Sequence, residues 1–293
     1  MKTMVITGGG RGLGRMTAET LARAGHHVVL VARTRSGADT ASSEIRASCP
    51  TANVEPRAVD LASMDSIRAF GSALANDLDR IDVLFHIAGV MQTSPTRRTT
   101  ADGFEETFAV NALAPFLLTG LLLPALERAD AARVVNVSSR LHLPGSRGNP
   151  VDFDFDDPQL DKGYNPDRAY KNSKLAVLWF TYELQRRLGP GGVTVNAVCP
   201  GFVPTTAAAS TSGVMHWFMV HIMPLMPFAT SVDAATDSLV FMALDPSLEG
   251  VGGRFFGEKH EIESSAESYD LDKARRFWGL ATDLTDAGGD GMA

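Results

Sequence analysis

Short, nearly continuous apolar runs recur along this chain, each ending in a turn that leads into a stretch with helical spacing. Residues 4–7, 27–32, 54–59, 81–86, 133–137, 193–198 and 253–256 read as strands. Runs this short and rich in Val suit strands covered on both faces. Helical patterns follow the first strand as far as Ala24, fill 99–125 and 231–244, and begin again at Asp167 and Asp270. Strands alternating with helices, without a repeated unit or a linker, imply one doubly wound α/β domain. The expected sheet is parallel, has about seven strands and carries helices on both faces. Ligands bind such sheets beyond the carboxyl ends of the strands. Gly12, Arg33, Asp60, Ala88, Ser139 and Pro200 all fall at those ends, so one crevice can collect them.

Composition narrows the partners. At 293 residues and 31.3 kDa the chain can bury a large single core. A net charge of -7, a pI near 5.5 and the lack of any Lys/Arg run argue against nucleic acid. Cys49 and Cys199 are the only cysteines, too few for a disulfide framework or a thiolate metal site, and they suit a reducing compartment. Met1-Lys2-Thr3 runs directly into the first strand, leaving no room for a targeting signal. The apolar stretch 214–229 is broken by His216, His221, Pro224 and Pro227 and is too short to span a bilayer. A cytoplasmic protein without an integral membrane segment is expected.

The candidate chemistry begins at Thr7-Gly8-Gly9-Gly10-Arg11-Gly12-Leu13-Gly14, between a strand and a helix. Glycines there let backbone approach a phosphate at a helix N-terminus, although a β–α turn without a ligand has the same look. After the second strand comes Arg33-Thr34-Arg35, where an NAD enzyme would carry an acid for the ribose 2′-hydroxyl. Guanidinium there, with Arg11 nearby, favours a 2′-phosphate and so NADP(H) over NAD(H), unless these arginines are merely solvated.

Tyr170 and Lys174 share a helical face. An ammonium about 4 Å from a phenol stabilises the phenolate by at most ~4 kcal/mol, roughly 3 pKa units. Such a pair can exchange protons near neutral pH; alone, it equally reads as an aromatic anchor beside a solvated lysine. Asn111 lies among apolar neighbours and is either a working amide or a satisfied structural one. The long stretch 140–165 carries Asp152, Asp154, Asp156 and Asp157. A calcium loop would need glycine where Asp157-Pro158 stands, so a solvated acidic loop is expected. Asn165-Pro166 supplies a cap and a first-turn proline for the Tyr170 helix. The Met-rich and aromatic stretch 214–227 reads either as core packing or as a lid over an apolar substrate.

Taken together, Thr7-Gly8-x-x-x-Gly12-x-Gly14, Asp60-Leu61, Asn111, Ser139, Tyr170-x-x-x-Lys174 and Pro200-Gly201 resemble the short-chain dehydrogenase/reductase superfamily over nearly the whole chain. The run from Tyr170 to Ala176 and the long insertion before it resemble the retinol dehydrogenase and WW-domain oxidoreductase branch. Gly253-Arg254-Phe255-Phe256 and Arg276-Phe277-Trp278 do so more loosely. The resemblance implies a single-domain Rossmann fold spanning 1–293, with 1–135 mainly holding a dinucleotide. The remainder, 136–293, would be catalytic and substrate-binding, with a lid around 205–230. It implies that Tyr170 is the general acid/base, that Lys174 lowers its pKa and binds the nicotinamide ribose, that Ser139 (rather than Ser138) holds the substrate oxygen, and that Asn111 positions a proton-relaying water. Gly8, Arg11, Gly12, Leu13, Gly14 and Arg33 would line the phosphates. Asp60 and Leu61 would meet the adenine, Ala88 and Gly89 the ribose side, and Pro200, Val203 and Thr205 the carboxamide end. Homodimers or homotetramers paired through the Asn111 and Tyr170 helices are also implied.

Three departures stand out. The family's Asn-Asn-Ala-Gly is His86-Ile87-Ala88-Gly89 here, the spacing from Ser139 to Tyr170 is long, and no membrane anchor is expected before Met1. The expected activity is hydride transfer between NADP(H) and a carbonyl/alcohol carbon of a small apolar molecule. The alternatives are an NADP(H)-binding sensor or scaffold without turnover, and a reductase of an activated C=C bond.

Overall fold

The computed structural model describes residues 1–145, 151–204, 217, 220–226 and 229–287. One sheet joins β1 (Thr3–Thr7), β2 (His27–Ala32), β3 (Val54–Ala58), β4 (Val83–His86), β5 (Ala132–Val137), β6 (Val193–Cys199), β7 (Phe255–Gly257) and β8 (His260–Glu261). Their order is β3-β2-β1-β4-β5-β6-β7-β8. The first seven are parallel and are the seven strands expected, with ends shifted by one or two residues. The eighth, antiparallel to β7, was not expected. Its turn holds Glu258 and Lys259 at φ 52 and 69, left-handed positions that hairpins usually give to Gly or Asn. Pro56 has no N–H for a ladder and is tolerated because β3 is an edge strand.

Because side chains alternate across a strand, each strand feeds two cores. Met4, Ile6, Val28 and Leu30 pack with α1 (Gly12–Arg23), α2 (Arg35–Ser48) and α6 (Val232–Leu244). Val5, Val29 and Val31 face the layer of α3 (Met64–Asp77), α4 (Glu106–Glu127) and α5 (Pro166–Leu188). Side-chain caps start nearly every helix: Thr34 for α2, Ser63 for α3, Glu105 for α4, Asn165 for α5 and Ser231 for α6. α4 begins later than its hydrophobic pattern suggested, because Thr99 and Glu105 form an antiparallel bridge and the Glu105 carboxylate caps Phe108 N at 2.6 Å.

α4 is long and apolar enough to cross a membrane, but 89% of its most apolar window is buried inside the fold, as befits a core helix. It and α5 are enclosed nearly all round. α7 (Leu271–Thr285) lies across both: Trp278 meets Phe116 at 5.0 Å and Phe277 meets Trp179 at 6.2 Å between ring centroids. Pairing of subunits through these two helices would require α7 to leave.

The described part of the long segment before α5, from residue 151 on, is anchored on the side away from Tyr170. Phe155 stacks on Trp179 at 5.5 Å and Phe153 meets the same ring edge-on at 5.2 Å. Trp179 lies about two and a half turns beyond Tyr170, on the opposite helix face. Residues 151–155 therefore pack behind α5. The segment's carboxylates serve local structure and arginines: Asp157 accepts from Asp161 N and Lys162 N, Asp152 pairs with Arg168, and Asp156 pairs with Arg276.

Candidate active site

The chain reverses its direction across the sheet between β1 and β4, and the crevice opens there. Thr7 Oγ1 donates to Phe85 O at 3.0 Å and accepts from Ala88 N at 3.4 Å, which joins the two strand ends. The glycine turn packs into this corner. Gly8 has φ +75, and a Cβ at Gly14 would lie 2.3 Å from Gly8 O, so the turn closes only on glycine. Gly9 N donates to Val31 O at 2.8 Å, and Gly10 abuts Ala32, so Arg11 and Arg33 rise from adjacent points. α1 starts at Gly12 behind Arg11, which offers no side-chain cap. Its first-turn N–H groups therefore suit an anion. This cradle fits a dinucleotide pyrophosphate.

The other residues expected to meet a nucleotide differ in how far their side chains are already engaged. Arg11 and Arg33 are exposed, and their side chains make no hydrogen bond or ion pair among the described residues. Arg35 is tied to Asp39 at 3.0 Å. Asp60, beside the end of β2, turns its carboxylate to Ala62 N at 3.0 Å. Leu13 and Val203 point into the core and Leu61 packs against it, leaving backbone as their main offer to a ligand. Pro200 is buried, and Gly201 leads into Phe202, whose carbonyl accepts from Thr230 N at 2.7 Å. Thr205 lies outside the described residues, as does most of the expected lid. Within 217–226, no described side chain is buried, and Trp217 is 54% exposed, so the part of that stretch seen here is not core.

The candidate catalytic half is assembled from side chains. Ser138 and Ser139 diverge at the end of β5. Ser138 is buried, with its N donating to Val198 O and its Oγ to Lys174 O, both at 2.9 Å. Ser139 instead lies beside the Tyr170 hydroxyl, close enough to act on its titration, while its Oγ accepts from Leu141 N at 3.2 Å. Lys174 Nζ lies 5.6 Å from the Tyr170 ring centre and donates to Val137 O at 2.9 Å. Gly89 binds the constellation together: a Cβ there would be 3.3 Å from Asn111 Oδ1 and 3.6 Å from Lys174 Nζ. Asn111 sits in a widened π-type turn of α4, 109–113. Its Nδ2 donates to Val90 O at 2.9 Å and Ser173 Oγ at 3.0 Å, and its Oδ1 accepts from Val90 N at 2.8 Å. Both amide hydrogens are thus spent on protein, leaving only acceptor capacity for a relay.

The electrostatics differ from the expectation that Lys174 pulls the tyrosine down. Burial pushes Tyr170 up to about 12, Cys199 acts the same way and the Ser139 hydrogen bond opposes them. Burial also lowers Lys174 to about 8. Although Tyr170 as a residue keeps some exposed surface, its phenol is enclosed, and both charged forms lose hydration there. In the polypeptide itself, Tyr170 is a neutral phenol at pH 7.

His86 turns its ring into the core. Thr119 spends its proton on Pro115 O at 2.7 Å, so His86 Nε2–H donates to Thr119 Oγ1 at 2.9 Å, and burial drives the ring down to about 3. Ile87 packs against the core. Sequence reasoning passed over Ser173, Val137 O and His142. Ser173 lies inside the Tyr170–Lys174 motif and was legible in principle; the other two carry no local signal.

The short chain dehydrogenase family profile matches residues 2–151, and one described as Enoyl-(Acyl carrier protein) reductase matches 159–249. Human retinol dehydrogenase 13 is 36% identical over 288 residues, covering 94% of this chain and 82% of that protein. A crystal structure of an uncharacterized protein from Mycobacterium Paratuberculosis superposes with a TM-score of 0.74 at 31% identity, covering 98% of this chain and 94% of the other. An angucycline C-6 ketoreductase with bound NADP gives 0.67 at 26% identity, covering 88% and 93%. A sheet whose strand ends bring Ser139, Tyr170 and Lys174 together, matched at this level over nearly its full length, settles the family: the chain belongs to the short-chain dehydrogenase/reductase oxidoreductases, in their retinol dehydrogenase-like branch.

Proposed function

We propose that this protein is an NADP(H)-dependent reductase of aldehydes or ketones on apolar small molecules. The observation that carries the reading is the neutral Tyr170 phenol paired with Ser139 beside Lys174. Arg11 and Arg33 at the nucleotide corner support the 2′-phosphate form of the cofactor, as does the ketoreductase neighbour with bound NADP. A relative named for retinol, itself an apolar alcohol, supports the substrate class.

Gly8 to Gly14 and the α1 N-terminus hold the pyrophosphate in this reading, and Lys174 and Gly89 border the nicotinamide ribose. A nicotinamide, when bound, supplies the hydride. Ser139 orients the substrate carbonyl oxygen by donating a hydrogen bond, and Tyr170 O–H gives its proton to that oxygen as negative charge grows there. The neutral phenol is the form that donates, so the protein's own electrostatics suit reduction. Lys174, titrating near 8, exchanges protons with solvent at working pH and returns one towards Tyr170.

The test is NADPH oxidation over all-trans-retinal, straight-chain aldehydes, steroid ketones, quinones and a simple enone. Tyr170→Phe is expected to cut kcat by roughly 10³-fold, within the range of general acid catalysis, while NADPH affinity by fluorescence titration is kept. Unchanged turnover in that variant sinks the mechanism. Tight NADPH binding with no oxidation across the panel points instead to a sensor. Saturated product from the enone alone points to C=C reduction.

A further inference from the structure

Three residues beyond Ser139, in the single turn Arg140–His142, lies an imidazole that is 1% exposed. His142 Nδ1 contacts the Ser139 carbonyl oxygen. A carbonyl only accepts, so Nδ1 carries the hydrogen and Nε2 keeps its lone pair. That lone pair accepts from Ser265 N at 3.2 Å. One neutral tautomer satisfies both contacts, and Phe255 holds the ring edge-on at 5.3 Å.

Ser265 is itself fixed to α5. Its neighbour Ser264 meets Tyr182 Oη at 2.8 Å and Ser268 Oγ at 2.6 Å. Tyr182 stacks on Tyr269 at 5.3 Å, and Glu267 O accepts from Trp179 Nε1 at 2.9 Å. Tyr182 and Trp179 belong to the helix that carries Tyr170. A closed mechanical loop results: Ser139, His142, Ser265, α5, Tyr170 and back to Ser139 by the hydroxyl pair.

We propose that His142 is a positioning residue that sets where the Ser139 hydroxyl stands relative to Tyr170, by tying the Ser139 carbonyl to the C-terminal segment 264–269. The proposal rests on the reading of Ser139 as the holder of the substrate oxygen. The ring never reaches the substrate in this role; it acts through the serine.

The test compares His142→Leu, which removes both contacts, with His142→Asn, which keeps a short donor towards the Ser139 carbonyl. Each is made in the native chain and in the Ser139→Ala background, and assayed with the fastest carbonyl of the panel above. A misplacement near 1 Å can cost up to ~10²-fold, so His142→Leu is expected to lower kcat about 10- to 100-fold without changing NADPH affinity. His142→Asn should recover most of that loss. In the Ser139→Ala background, His142→Leu should add nothing, because residues acting as a unit are not additive. Hydrogen exchange gives a readout independent of activity: amides of 140–143 and 264–269 should both exchange faster in His142→Leu. An equal fold loss in both backgrounds, or native kcat in His142→Leu, overturns the role of His142 and leaves Ser139 standing. Native kcat in Ser139→Ala alone removes Ser139 from the mechanism, and His142 with it. Should His142→Leu fail to fold, His142→Asn against His142→Gln decides: Gln reaches Ser265 rather than the Ser139 carbonyl, and equal activity of the two overturns the proposal.

Discussion

The two halves of the crevice are built from different material. The nucleotide half is mostly backbone: a glycine turn, a bare helix end and two strand ends pressed so close that one Cβ at Gly14 would meet Gly8 O at 2.3 Å. The candidate catalytic half is mostly side chain, and most of its groups are held by partners far away in sequence. Lys174 is held by Val137, Asn111 by Val90 and Ser173, and Ser139 by His142 and Tyr170. A backbone site announces itself through glycine and breaks all at once. A side-chain site is announced only by its reacting groups, and its supports fail by degrees.

That contrast can be pressed hardest at Gly14. Gly14→Ala should weaken NADPH binding by roughly 100-fold, about 3 kcal/mol, because the added methyl overpacks the turn. A native dissociation constant would show that the turn yields and that the backbone half is less rigid than drawn here.

His86, at the end of β4 between the halves, tests whether its position is structural. Its ring stays neutral in the fold but takes a proton below pH 6.5 once unfolded. The unfolded chain therefore binds more protons between about 3 and 6.5, and stability falls as pH drops through that window. From pH 7 to pH 4.5 the loss attributable to this residue is at most roughly 3 kcal/mol. His86→Gln, which keeps an N–H for Thr119, should flatten that part of the urea-unfolding profile. Equal acid sensitivity in both proteins would remove His86 as the cause.

Arg33 is the one side chain on which the cofactor preference mainly hangs. Hydrogen bonds to charged groups are worth about 1.5–3 kcal/mol, so Arg33→Ala should weaken NADPH about 10- to 100-fold and leave NADH unchanged. Tighter binding of NADH than NADPH by the native chain would defeat the argument outright. The smallest effect is remote from the crevice. Lys259 sits at φ 69 in the β7–β8 turn, and Lys259→Gly should gain roughly 1 kcal/mol by relieving left-handed strain. No rise in melting temperature would mean that the turn carries no such strain.

The sequence by itself determined the seven parallel strands, the two helical layers, the caps at Ser63 and Asn165, the glycine turn and the candidates for the reacting groups. Those features follow from local rules, since apolar runs, capping residues and glycine each act on the chain within a few positions. Tertiary structure alone decided the rest. It turned Ser138 inward and Ser139 towards Tyr170, though nothing local distinguishes two adjacent serines. It sent Phe153 and Phe155 behind α5, laid α7 over the helices expected to pair, and added β8 through a turn of Glu258 and Lys259 that carries no hairpin signature. It also reversed the expected pull on Tyr170. Helical spacing brings Lys174 to the same face, but a pKa is set by everything that replaces water around the group, and here burial is the largest cause and raises Tyr170. Proximity along a helix is a property of the sequence; dielectric surroundings belong to the fold.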